Sequence, residues 1–182
     1  MKHVIDSTDL TVEEIDGILK LAQDIIDDKE AYSEACKGKK LALYAPTFRD
    51  NRADDLRILD NFDVTAFNDR FGNEYALLIR LHPQVHSVSA IPSGAVDVCD
   101  YENTLELMRL CDFLITDYSS ICMDFAIQDK PVYFYAFDLD RYERDRAFYY
   151  DYESYVPGPV AKDFQTLLNL INSTVYETYR MR

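Results

Sequence analysis

Basic residues are the scarce class in this chain: 19 Lys and Arg stand against 33 Asp and Glu, for a net charge of −14. A surface that acidic repels phosphate backbones and excludes general nucleic-acid binding, while leaving room for one small anionic ligand in a local basic pocket. Cysteines are few and scattered: Cys36, Cys99, Cys111 and Cys122 form no CxxC pair. With no signal peptide at the start, they read as reduced thiols of a cytosolic protein. The three histidines, His3, His82 and His86, make no zinc spacing with them, so no metal site is expected. No apolar run approaches the ~20 residues of a membrane helix, and there is no internal repeat or low-complexity stretch. Tryptophan is absent, but 14 Tyr and 10 Phe are available to line a core or a crevice. What remains is ordinary globular composition, 48% apolar and 29% charged over 182 residues. That suits one compact domain, or one large and one small piece, with enough core to need no staples.

Periodicity supplies the elements. Thr11 and Glu14 have capping-box spacing, and Ile15, Ile18, Leu19, Ala22, Ile25 and Ile26 then share one helical face. After a polar break at Gly38-Lys39-Lys40, Leu41 to Ala45 reads as a short buried strand. Val64 to Phe71 reads as a helix, with Asp63 as N-cap and Gly72 just past its end. Tyr75 to Leu81 is nearly all apolar, as in a strand buried on both faces. Strands are expected at 95–98, 113–116 and 131–135. Helices are expected at 104–110, with Leu105, Met108 and Leu110 inward, at 120–127 and at 164–176. Strands alternating with helices make this an α/β protein, a Rossmann-like parallel sheet with helices on both faces. The stretch from Phe137 to Pro159 lacks periodicity and reads as one long loop, of a length that is often functional.

Ligands of open parallel sheets bind at the C-terminal ends of the strands. Three such ends carry polar residues: Thr47 and Arg49 after the first strand, Arg80 and His82 after the second, and Asp117, Ser119 and Ser120 where a strand opens a helix. A helix start with free amides and hydroxyls attracts an anion, although Ser119 could equally be an N-cap. His82 could be a core histidine and Arg80 a solvated strand edge. Arg49 alone would be surface, Asp117 a turn residue, and Asp124 an exposed helix carboxylate or one facing the crevice.

These residues also carry a resemblance. Leu43-Tyr44-Ala45-Pro46-Thr47-Phe48-Arg49-Asp50-Asn51, Arg80-Leu81-His82-Pro83, Leu114-Ile115-Thr116-Asp117-Tyr118-Ser119-Ser120, Tyr133-Phe134-Tyr135-Ala136-Phe137-Asp138 and Pro157-Gly158-Pro159 resemble, in order and spacing, the CDP-glycerol glycerophosphotransferase family of teichoic acid synthesis. The resemblance implies the C-terminal, nucleotide-binding half of a GT-B enzyme. Such enzymes transfer glycerol phosphate from CDP-glycerol to a poly(glycerol phosphate) acceptor and release CMP. It implies Arg80 and His82 as catalytic residues. Thr47, Arg49, Arg80, His82, Ser119 and Ser120 would bind the donor pyrophosphate; Asp117 and Asp124 are further candidate contacts from their place at the crevice rather than from the resemblance. It implies no cofactor beyond the donor substrate and no metal, and it leaves an acceptor domain or partner chain to be supplied. The place it implies is the cytoplasm, peripheral at the inner face of the plasma membrane.

The first 42 residues resemble instead the start of aspartate carbamoyltransferases, through His3-Val4-Ile5-Asp6, Asp9-Leu10-Thr11-Val12-Glu13-Glu14-Ile15-Asp16 and Gly38-Lys39-Lys40-Leu41-Ala42. That family's Ser-Thr-Arg-Thr-Arg phosphate loop is absent, and Ala45-Pro46-Thr47-Phe48-Arg49-Asp50 follows the strand in its place. The expected division is therefore an N-terminal helical segment over 1–42 and a nucleotide-binding domain over 43–182. A CDP-binding module without catalysis, an inactive chimera and a carbamoyltransferase fragment are the competing readings.

Overall fold

The computed structural model describes residues 36–49, 52–82, 85 and 90–173. The chain divides into two units, 1–38 and 39–182, and all that follows concerns the second. The helix expected over the N-terminal segment, Pro83 and residues 174–176 of the expected C-terminal helix lie outside the described residues, and that helix closes at Ile171 with Asn172 as its C-cap.

Six strands form one sheet: β1 (Lys40–Tyr44), β2 (Tyr75–Ile79), β3 (Val96–Asp97), β4 (Phe113–Thr116), β5 (Val132–Tyr135) and β6 (Val160–Ala161). Their order is β3-β2-β1-β4-β5-β6 and every pairing is parallel. Tyr44 is the centre of the register, opposite Ile79 on one side and Ile115 on the other. The expected α/β, Rossmann-like sheet is thus the fold. The chain builds outward from β1 through β2 to β3, then returns to place β4 on the other flank of β1. That reversal between β1 and β4 is the switch point where such sheets open a crevice.

The strands read as apolar runs because both faces are buried. Ala42, Tyr44, Leu77, Ile79, Phe113, Ile115, Tyr133 and Tyr135 join one core cluster with Phe62, Phe67 and Leu167. The alternate residues Leu43, Leu78, Leu114 and Phe134 are equally buried, as a two-residue period requires.

The helices are α1 (Arg52–Asp60), α2 (Val64–Phe71), α3 (Thr104–Leu110), α4 (Ile121–Ala126), α5 (Leu139–Arg146), α6 (Tyr152–Tyr155) and α7 (Phe164–Ile171). Asp63 caps α2 by accepting from Ala66 N, as its position implied, and Asn103 and Asp163 cap α3 and α7 the same way. Three expectations change. Helix α1 carries no strong apolar period and was not anticipated. In α3 the inward pair is Leu107 and Met108, while Leu105 and Leu110 are more than half exposed. The stretch read as one long loop, 137–159, contains α5 and α6. Helix α5 buries only Leu139 of its eight residues, which leaves too little apolar signal for periodicity to detect.

One glycine is fixed by close approach. A Cβ on Gly158 would lie 2.1 Å from the carbonyl oxygen of Val132, where the chain runs beside β5 before Pro159 accepts from Phe134 N.

Candidate active site at the switch point

The loop leaving β1 and the turn leaving β4 are joined by one buried ionic knot. Asp117 is 2% exposed, and its Oδ1 accepts from the backbone amides of Thr47 and Tyr118, each at 2.7 Å. Its Oδ2 accepts from Arg49 Nη2 at 3.0 Å. Arg49 is 8% exposed and also donates from Nε and Nη2 to Asp138 at 2.8 and 3.0 Å, and from Nη1 to the Thr47 carbonyl at 2.5 Å. Tyr118 closes the circuit by donating its hydroxyl to Asp138 Oδ1 at 2.9 Å. Tyr118, Phe137 and Tyr142 surround the guanidinium, with ring centroids 5.2 to 5.7 Å from it.

Electrostatics follow from this geometry. Burial pulls the Arg49 pKa down, but the carboxylates of Asp117 and Asp138 outweigh it and hold it above its ordinary value. Burial pushes the Asp117 carboxyl up, with Arg49 and Thr47 opposing the shift. The Tyr118 phenol is driven far up, first by burial and then by Asp138, so it serves as a hydrogen-bond donor and not as a phenolate.

Two of the expected site residues have their partners within the chain. Arg49 was expected to face a phosphate, yet its nitrogens are taken by oxygens of its own chain. Asp117 was left as a turn residue or a ligand contact, and its depth and three donors make it the turn's internal anchor. Asp124 is exposed on the first turn of α4.

His82 is exposed, which excludes the core-histidine alternative, and its ring packs on Phe48 with centroids 4.7 Å apart. The loop after β2 is thereby tied to the loop after β1. Arg80 is half-buried. Its Nη1 donates to the carbonyls of Val98, Cys99 and Tyr101 at 2.8, 3.2 and 2.8 Å. That contact braces the segment following β3, a use that the sequence alone did not suggest. The nearby Cys99 thiol is pushed up to about 12, chiefly by burial, which makes it a poor nucleophile.

The Ser pair opens α4, a helix of six residues. Ser120 occupies the N-cap position with helical φ and ψ and makes no side-chain cap bond. Ser119 Oγ accepts from Ile121 N only at a long 3.4 Å. Capping therefore explains little of either hydroxyl. Both line a cavity of about 560 Å³ whose walls include Tyr118, Phe134, Phe148 and Tyr152. That volume lies in the range of small-molecule sites.

The loops after β1, β2 and β4 thus meet at one edge: His82 on Phe48, Thr47 on Asp117, and Ser119 two residues further on. Asp138 and Tyr118 belong to the same edge and were not singled out beforehand. Both lie within the sequence motifs that carry the resemblance, which was the available signal. Among the described residues no group of three His, Cys, Asp or Glu is placed to hold a metal ion. Among them, too, no helix is long and apolar enough to cross a membrane.

Comparison with known proteins extends the picture. The family described as CDP-glycerol:poly(glycerophosphate) glycerophosphotransferase matches residues 19–182, beginning inside the N-terminal segment. A teichoic acid poly(ribitol-phosphate) polymerase of Bacillus spizizenii is 37% identical over 147 residues, 77% of this chain and 23% of the polymerase. A teichoic acid glycerol-phosphate transferase of Staphylococcus aureus is 36% identical over 138 residues, 73% of this chain and 36% of the transferase. The chain therefore spans well under half the length of these relatives. The wall teichoic acid polymerase TagF, in a solved structure of a variant soaked with CDPG, superposes with a TM-score of 0.68 at 31% identity, covering 88% of this chain and 39% of that one. Fold, ordered motifs and family match agree, and the chain belongs to the CDP-glycerol:poly(glycerophosphate) glycerophosphotransferase family.

Proposed function

We propose that this chain holds the donor nucleotide in the transfer of glycerol phosphate from CDP-glycerol to a poly(glycerol phosphate) acceptor. The observation that carries the reading is the junction of three strand-end loops at the switch point, where His82, Thr47 and the Ser119–Ser120 pair border one edge beside a cavity. The soaked TagF structure supports CDP-glycerol as the donor.

In the proposed step an acceptor hydroxyl oxygen attacks the phosphorus of the glycerol phosphate. The new P–O bond forms as the P–O bond to CMP breaks, and the hydroxyl proton passes to a base. Charge grows on the equatorial oxygens and on the departing phosphate, where fixed donors are most effective. Ser119 and Ser120 supply hydroxyl donors. His82 donates a hydrogen bond to the leaving phosphate, and Phe48 fixes the plane of its ring. Arg80 acts indirectly in this reading, by bracing the segment after β3. The unit over 39–182 forms the donor-binding domain, and the segment before it is accessory. The setting is the cytoplasmic face of the plasma membrane, with the protein peripheral to it. An acceptor domain or partner chain supplies the general base.

The test is CMP release from CDP-glycerol, with and without a lipid-linked acceptor. Acceptor-dependent release supports the reading. CDP binding without release under any acceptor supports a binding module instead, and release from CDP-ribitol alone would move the donor to the other polyol.

A further inference from the structure

The short ladder between β2 and β3 ends at the pair Ile79–Asp97, where Ile79 O accepts from Val98 N at 3.1 Å. Arg80 N faces the other neighbour, donating to Tyr44 O at 2.9 Å. By the even spacing of parallel bonds, the next amide on the β3 side, that of Leu81, is due at the Val98 carbonyl. That carbonyl is turned to Arg80 Nη1, which donates to it at 2.8 Å and to the carbonyls of Cys99 and Tyr101 at 3.2 and 2.8 Å. Leu81 N donates instead to the Cys99 sulfur, at 3.2 Å. The same thiol donates to the Ile79 carbonyl at 3.7 Å, and the Cys99 amide is fixed by Asp97 Oδ1 at 2.9 Å. Burial raises the thiol pKa, so the proton for that donation is retained. A side chain thus continues the sheet where its backbone ladder stops. Leu81, Val85 and Cys99 are buried in the same core cluster. His82, the residue after Leu81, accepts from Val85 N at 2.8 Å through its carbonyl and packs its ring on Phe48.

We propose that Cys99 is a positioning residue for His82. Its thiol holds the Leu81 amide, one residue ahead of His82, and Arg80 fixes the segment that carries the sulfur. This rests on the reading that His82 donates to a phosphate of the bound nucleotide. Leu81 is pinned before the histidine and Val85 behind it, so the backbone at His82 is set from both sides. Phe48 then settles the orientation of the ring. The thiol acts from the core, through the backbone, and not on the ligand.

Calorimetric titration of CDP into the full chain, run as a double-mutant cycle with His82, tests the idea; melting curves on the same samples show that each variant is folded. His82→Ala alone should weaken CDP binding roughly tenfold or more, the loss of one hydrogen bond to a charged oxygen. Cys99→Val keeps a small apolar side chain and removes both the acceptor and the donor, and it should weaken CDP binding several-fold. Cys99→Ser keeps a donor and an acceptor and should retain most of the wild-type affinity. In the His82→Ala background Cys99→Val should cost no further affinity, because the sulfur acts through the ring that is gone. Where Cys99→Val does not fold, Cys99→Ala carries the same cycle. Unchanged CDP affinity in the folded single variant, or losses that add in full to those of His82→Ala, would leave Cys99 a purely structural residue and overturn the proposal. A His82→Ala chain that binds CDP as the wild type does would overturn the reading of His82 on which the proposal rests, an outcome separable from the other two.

Discussion

Replacing Arg49 with Met is the most direct probe of the ionic knot. Methionine keeps much of the stem length and the apolar surface that Tyr118, Phe137 and Tyr142 cover, while removing the charge and every donor. Asp117, with its side chain 1% exposed, then loses the cation at 3.0 Å, and Asp138 loses its partner at 2.8 Å. Breaking a buried pair from one side costs about 3–5 kcal/mol, because an uncompensated charge stays behind. At ~2–4 °C per kcal/mol for a chain of this size, the melting temperature should fall by roughly 6–20 °C. The sign of the pH dependence follows from Asp117. Burial already raises its pKa, and Arg49 opposes that rise. Without Arg49 the carboxyl pKa climbs further. A carboxyl whose folded pKa is raised contributes stability that is fully present below its unfolded value and is lost as pH rises through the folded value. The variant should therefore lose more stability at about pH 8 than at about pH 5 relative to wild type. Thermal denaturation followed by circular dichroism at both pH values is the assay. A loss under ~1 kcal/mol, the range of surface pairs, or an equal loss at both pH values, would refute the knot as described.

Three further outcomes follow from the same contacts. Ser119→Ala with Ser120→Ala should weaken CDP binding roughly tenfold or more with little change in melting temperature, since Ser120 makes no cap bond and Ser119 only a long one; titration and melting of the double variant check both parts. Asp138→Asn should lower the melting temperature, because Arg49 loses the carboxylate at 2.8 Å and the Tyr118 hydroxyl loses a charged acceptor; thermal denaturation checks it, and an unchanged melting temperature would contradict the role given to Asp138. Gly158→Ala should lower the melting temperature markedly, because its Cβ would fall 2.1 Å from the Val132 carbonyl and force the chain away from β5; an unchanged melting temperature would contradict that approach.

Where apolar residues follow one period, the chain was readable. The runs at Tyr75–Ile79, Phe113–Thr116 and Val132–Tyr135 are buried on both faces and could hardly be anything but central parallel strands. Asp63 and Gly72 bracketed α2 because cap chemistry is local. Helix α5 escaped notice for the opposite reason: its contribution comes from Leu139, from Tyr142 stacked 3.7 Å from Tyr118, and from Asp138 at its start, which are tertiary partners that no local period encodes. The site shows the same contrast. Strand ends marked Thr47, His82 and Ser119 as neighbours, since parallel topology brings those ends to one edge. Local sequence could not say that Arg49 would turn inward to Asp117 and Asp138, 68 and 89 residues along the chain. Nor could it reveal that Arg80 would spend Nη1 on three backbone carbonyls.

The central claim is that this edge binds a nucleoside diphosphate through its second phosphate. Calorimetric comparison of CDP, CDP-glycerol and CMP on the full chain tests it most directly. The account predicts that CDP and CDP-glycerol bind at least tenfold more tightly than CMP, about 1.4 kcal/mol or more. Equal affinity for CMP and CDP would mean that the hydroxyls of Ser119 and Ser120 do not meet a pyrophosphate, and would contradict it.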